Sequence, residues 1–178
     1  MTETKKILIV IAPVNFRDEE LFEPLKVFSD NHTPYEIAST KTGEIKGMLS
    51  GTANATLTLE EVSHKGCCTA YNSLLIVGGS GSPEYLWNNK GLHMIVRAFI
   101  REEKTVAAIC LSPVVLAKAG ILKDKNATVW PDEKAIHELM AAGAKYSDNP
   151  VVKDGLVITA DGPKSATEFA KQIIKAIM

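Results

Sequence analysis

Short runs of β-branched and other apolar residues alternate along this chain with longer stretches in which apolar positions recur every three or four residues. The short runs read as strands: Ile7 to Ala12, Tyr35 to Ser39, Ser73 to Val77, Thr105 to Ile109, Ala127 to Trp130 and Leu156 to Ala160. Several are apolar throughout, the pattern of strands covered on both faces. Helices are predicted between them. Glu19 to Ser29 gathers Leu21, Phe22, Leu25, Val27 and Phe28 around one face, and Leu92 to Glu103 spaces Leu92, Ile95, Val96, Phe99 and Ile100 by three and four. Further helices are read over Leu111 to Ala119, Glu133 to Ala142 and Ala166 to Ile177. The last opens on Ser165-Ala166-Thr167-Glu168, a capping-box pattern. The breaker pairs Gly78-Gly79, Asp154-Gly155 and Asp161-Gly162 fall between elements.

Strands and helices in this order predict the α/β class, a flavodoxin-like three-layer α/β/α sandwich on a mostly parallel sheet. Glu44 to Leu59 departs from the rhythm, and its alternating Ala55-Thr56-Leu57-Thr58-Leu59 predicts a small antiparallel excursion or hairpin at the edge. With no internal repeat or linker, residues 1–178 read as a single domain. In open parallel sheets, ligands collect at the carboxyl ends of the strands. Three such loops stand out: Val14 to Glu20, Gly78 to Glu84, and Cys110 to Pro113. A site is expected where they meet.

Composition narrows the function classes. The 178 residues are 46% hydrophobic and 23% charged, as in ordinary globular proteins. Lys and Arg number 20 against 21 Asp and Glu, which argues against a nucleic-acid partner. Lys5 and Lys6 before an apolar run resemble a signal peptide, but the run is too short for a bilayer and lacks a small-residue cleavage site. A buried first strand, no membrane partner and a cytoplasmic location are expected. The cysteines are Cys67, Cys68 and Cys110, with no CxxC pair, so no disulfide framework is expected. The vicinal Cys67 and Cys68 could hold a soft metal but more often such a pair does nothing. His32, His64, His93 and His137 show no ligand spacing, so neither a metal nor a cofactor is expected.

Three segments carry chemistry. Cys110 ends the strand TVAAI and begins a helix, where the dipole and nearby N–H groups favour thiolate. The alternative is a small buried thiol that merely packs. Asp18, Glu19 and Glu20 crowd a helix start, which the dipole explains without any function. The functional reading points Glu20 inward, where burial raises its pKa and lets it hydrogen-bond a sulfur. The glycines of VGGSGS suit an oxyanion or a phosphate, although a tight turn explains them equally.

Taken together, ILIVIA with the EELFEP helix, LLIVGG, AAICLSP, ATVWP and the closing VVKDGLVITADGP resemble the PfpI / parkinsonism-associated deglycase superfamily. The resemblance runs nearly the whole chain and implies a class I glutamine-amidotransferase-like fold. It also implies Cys110 as nucleophile, Glu20 as its carboxyl partner, and Gly79 and Leu111 as oxyanion-hole donors. Trp130, Gly78 and Asp161 would border the substrate pocket. Two departures stand out: Leu111 follows the cysteine where protease-like members have histidine, and Trp130 and Asp161 stand where deglycase-like members have histidine and arginine. The resemblance implies an enzyme acting on small reactive carbonyls or their protein adducts. Alternatives are a redox-sensing or stress-protective protein whose Cys110 oxidises to sulfinate, and a peptidase borrowing His137. A homodimer or larger homo-oligomer is implied as well.

Overall fold

The computed structural model describes residues 6–64 and 69–178, and the Cys67–Cys68 pair lies outside them. In chain order the first elements are β1 (Lys6–Val10), α1 (Asp18–Asp30), β2 (Tyr35–Ser39), β3 (Gly43–Lys46), β4 (Thr52–Ala55), β5 (Leu57–Thr58) and α2 (Leu59–His64). Next come β6 (Tyr71–Ile76), α3 (Ser82–Tyr85), α4 (Lys90–Arg101), β7 (Thr105–Ile109), α5 (Pro113–Lys118), β8 (Asn126–Ala127) and α6 (Glu133–Ala141). The chain closes with β9 (Lys145–Tyr146), β10 (Val151–Asp154), β11 (Val157–Ala160) and α7 (Ala166–Ile177).

The main sheet has seven strands in the order β10-β11-β7-β6-β1-β2-β5. Every pair is parallel except β10 with β11. Its strands are apolar on both faces because both faces are covered. Ile7 and Ile9 of β1 face one core with Phe28 of α1 and Phe169 and Ile173 of α7. Leu8 and Val10 face the other, with Ile95 and Phe99 of α4 and Leu116 of α5. The flavodoxin-like sandwich read from the sequence is the fold observed.

Two local expectations are corrected, and a third, the small antiparallel excursion, is met with one difference. Of Ala127 to Trp130, only Ala127 is in a strand: β8 pairs with β9 in a separate two-stranded sheet. Beyond it, Thr128 N–H donates to Thr159 Oγ1 at 2.9 Å and Trp130 N–H to the Cys110 carbonyl at 2.8 Å, so the segment runs towards the strand ends without a ladder. The capping box does not form. Ser165 sits in helical backbone geometry (φ −95, ψ −4) after a turn of 3₁₀ helix, whereas a cap needs extended geometry. Its hydroxyl donates instead to Asp161 Oδ1 at 2.5 Å. The excursion is split: β3 and β4 form an isolated antiparallel hairpin, while β5 extends the main sheet in parallel. Among the described residues no helix is long and apolar enough to cross a membrane.

Candidate active site

The three loops picked out in the sequence do meet. Arg17 N–H donates to the Gly78 carbonyl at 3.0 Å and Gly81 N–H to the Asn15 carbonyl at 3.2 Å, stitching the loop after β1 to the loop after β6. The third loop is tied in by hydroxyls. Ser112 Oγ donates to the Val77 carbonyl at 2.7 Å and shares a 2.8 Å bond with Ser82 Oγ, both side chains fully buried. Trp87 Nε1 donates to the Leu111 carbonyl at 2.7 Å. The turn after β7 is thereby held on two sides.

Cys110 sits in that turn with φ +63, the left-handed region that side chains other than glycine avoid. Such a residue costs about 1–2 kcal/mol and persists only where its surroundings dictate it. Here they do: its N–H donates to the Ala160 carbonyl at 2.9 Å and its carbonyl accepts from Trp130 N–H. The conformation turns the thiol out of the sheet, while the residue stays only 7% exposed. The N–H groups of Gly79 and Leu111 lie close enough to the sulfur to favour its thiolate form.

Glu20 approaches from α1 and is fully buried. Pro24, four residues on, has no N–H to offer the Glu20 carbonyl, so the helical ladder is interrupted at the residue whose side chain turns inward. Its Oε2 accepts the Gly78 N–H at 3.0 Å, and its buried Oε1 lacks a partner of hydrogen-bonding geometry. Burial pushes this carboxyl up to about 8, against the Cys110 thiol and the Gly78 N–H, which both draw it down. Burial likewise pushes the thiol up, with the neighbouring carboxylate adding to it. The Gly79 and Leu111 donors pull the other way and are outweighed. The thiolate expected from the helix dipole is thus not the resting state. The helix that follows is a short one of six residues, and removal from water dominates.

Above the pair opens a pocket of about 190 Å³. Of the residues singled out in the sequence, Cys110, Glu20, Gly79, Leu111 and Trp130 line it. Gly78 lies beneath, where a Cβ would stand 2.5 Å from Glu20 Oε2 and 2.6 Å from Cys110 Cβ. Asp161 is not in the lining; Ser165 holds its carboxylate. His137 is exposed on α6, and no histidine lines the pocket. Sequence reasoning missed Arg17, Met48, Ser80 and Pro163. Ser80 adjoins the glycine pair and was findable by proximity, but Met48 arrives from the β3–β4 turn, which no local pattern connects to β7.

The DJ-1/PfpI family model matches residues 5–176. The chain belongs to that family. An uncharacterized protein of Methanocaldococcus jannaschii is 51% identical over 97% of this chain and 82% of its own length. A protein of Thermococcus kodakarensis named a deglycase is 30% identical, over 97% of this chain and 99% of its own. Among solved structures, a ThiJ/PfpI domain protein of Brachyspira murdochii superposes with a TM-score of 0.90 at 30% identity, covering 98% of this chain and 96% of that one.

Proposed function

We propose that this DJ-1/PfpI protein acts on small reactive carbonyls, or on the adducts they form with amines and thiols, through Cys110 and Glu20. The observation that carries the reading is a carboxyl poised near neutral pH, buried beside a thiol at a strained elbow and under two backbone donors. A general acid–base works best when its pKa lies near the operating pH. Sγ bonds to the carbonyl carbon, its proton passes to Glu20, and the carboxyl's own proton goes to the new alkoxide. The Gly79 and Leu111 N–H groups hold that oxygen as charge develops. The relay replaces a histidine base and needs no resting thiolate. The relative named a deglycase supports the same class of substrate. Methylglyoxal with the purified protein, followed by lactate, tests it: Cys110→Ala and Glu20→Gln should each lower the rate at least ~100-fold. Equal rates in wild type and Cys110→Ala would end the reading.

A second reading is favoured by the same acid. A protonated Glu20 would stabilise a Cys110 sulfinate by donating to its oxygen, in a protein that responds to peroxide without turnover. Peptide mass spectrometry after mild peroxide tests it, with Cys110 expected to gain two oxygens before Cys67 or Cys68 changes. The peptidase reading has less support, since His137 is not among the residues lining the pocket.

A further inference from the structure

Arg17 is the one positively charged side chain among the described residues that line the pocket. Its Nε and Nη2 hold Glu19 at 2.7 and 2.9 Å, and Nη1 has no partner among the described residues. Glu19 itself is not part of the lining, so the neutralising carboxylate stands to one side of the cavity. The guanidinium is close enough to the reacting pair for its charge to act on Glu20 and to respond to Cys110. Glu20 is the one carboxyl among the described residues of the lining, and burial favours its neutral form, so little there opposes a negative group.

We infer that Arg17 fits this pocket to carbonyl compounds that also carry a carboxylate, small 2-oxo acids being the simplest. The carboxylate would lie on the free edge of the guanidinium with the carbonyl carbon against Sγ. The inference rests on reading Cys110 as the attacking thiol and adds the substrate's charge. Volume agrees: a pocket of about 190 Å³ has room for a chain of two to four carbons. A planar fork that keeps N–H donors free is the group suited to a carboxylate. The addition balances without an oxidant: one S–C bond forms, the C=O π bond opens, and the thiol proton ends on oxygen as a hemithioacetal.

Two alkylating reagents of nearly equal size and the same leaving group separate charge from reactivity. Iodoacetate carries the carboxylate and iodoacetamide does not. The rate of each at Cys110 is read on the Cys110 peptide of the intact, folded chain, and any change in thiol ionisation cancels in their ratio. The iodoacetate-to-iodoacetamide ratio is expected about tenfold above that of free cysteine in the same buffer, and to fall to the free-cysteine value in Arg17→Gln. A wild-type ratio equal to that of free cysteine, or one unmoved by Arg17→Gln, overturns the inference while leaving Cys110 a reactive thiol. Failure of both reagents at Cys110 removes the proposed function as well, so the two failures are distinct.

Discussion

Gly78 occupies a corner that no side chain can share. A Cβ there would lie 2.5 Å from Glu20 Oε2, 2.6 Å from Cys110 Cβ and 2.7 Å from the Ile109 carbonyl oxygen. The last is backbone of β7, an interior strand, and cannot retreat without disturbing the sheet. Gly78→Ala should therefore cost about 1–3 kcal/mol and push the acid away from the thiol. Urea denaturation reads the first effect and the alkylation rate of Cys110 the second, and a wild-type midpoint would refute the close-packing argument. Gly79 is constrained differently. Its φ of +109 and the approach of the Arg17 amide and the Asn15 carbonyl leave no room for an L side chain. That a glycine pair breaks the chain after β6 was legible in the sequence. Its contact with a carboxyl 58 residues away was not, because that contact exists only after β1 and β6 have paired.

At the scale of the element, α1 explains why Asp18-Glu19-Glu20 resisted a reading by charge alone. Successive helical residues point about 100° apart, so three adjacent carboxylates face three directions. Glu19 swings to Arg17, Glu20 turns into the sheet, and Asp18 reaches the β3–β4 turn. There its two oxygens accept Leu49 N–H at 2.8 Å and Gly51 N–H at 2.7 Å, and Gly47 packs against the carboxylate. This pins the turn that carries Met48 over the pocket. Asp18→Ala should cost about 2–3 kcal/mol in urea denaturation, and exchange of the Leu49 and Gly51 amides should quicken more than that of β1 amides. Equal slowing or quickening throughout would mean the carboxylate supports the fold at large and not this turn. Periodicity served the long elements well: α7 and β7 fall where the pattern put them. It failed at β8, where two residues of ladder cannot outvote the bonds that draw Thr128 and Trp130 to β11 and the elbow.

The whole molecule bears the cost of keeping a carboxyl dry. Glu20 ionises near its ordinary 4.5 in an unfolded chain and near 8 in the folded one. Below 4.5 both states hold the proton, and this group's contribution to stability is fully present. Between 4.5 and 8 the unfolded chain has released it and the native protein has not, so stability falls as pH rises. Above 8 both are ionised and the slope from this group vanishes. One pKa unit corresponds to about 1.4 kcal/mol, so the decline should approach ~1 kcal/mol per pH unit across the window. Glu20→Gln keeps the shape and cannot ionise, and urea denaturation of both proteins from pH 5 to 9 should show the variant gaining on the wild type up to about pH 8 and holding level beyond it. Cys110→Ala sharpens the test. The neighbouring thiol draws the Glu20 pKa down, so its loss should carry the falling limb to higher pH. Parallel curves for wild type and Glu20→Gln would mean that Glu20 ionises freely in the native protein. The proton relay proposed beside Cys110 would then have no acid to run on.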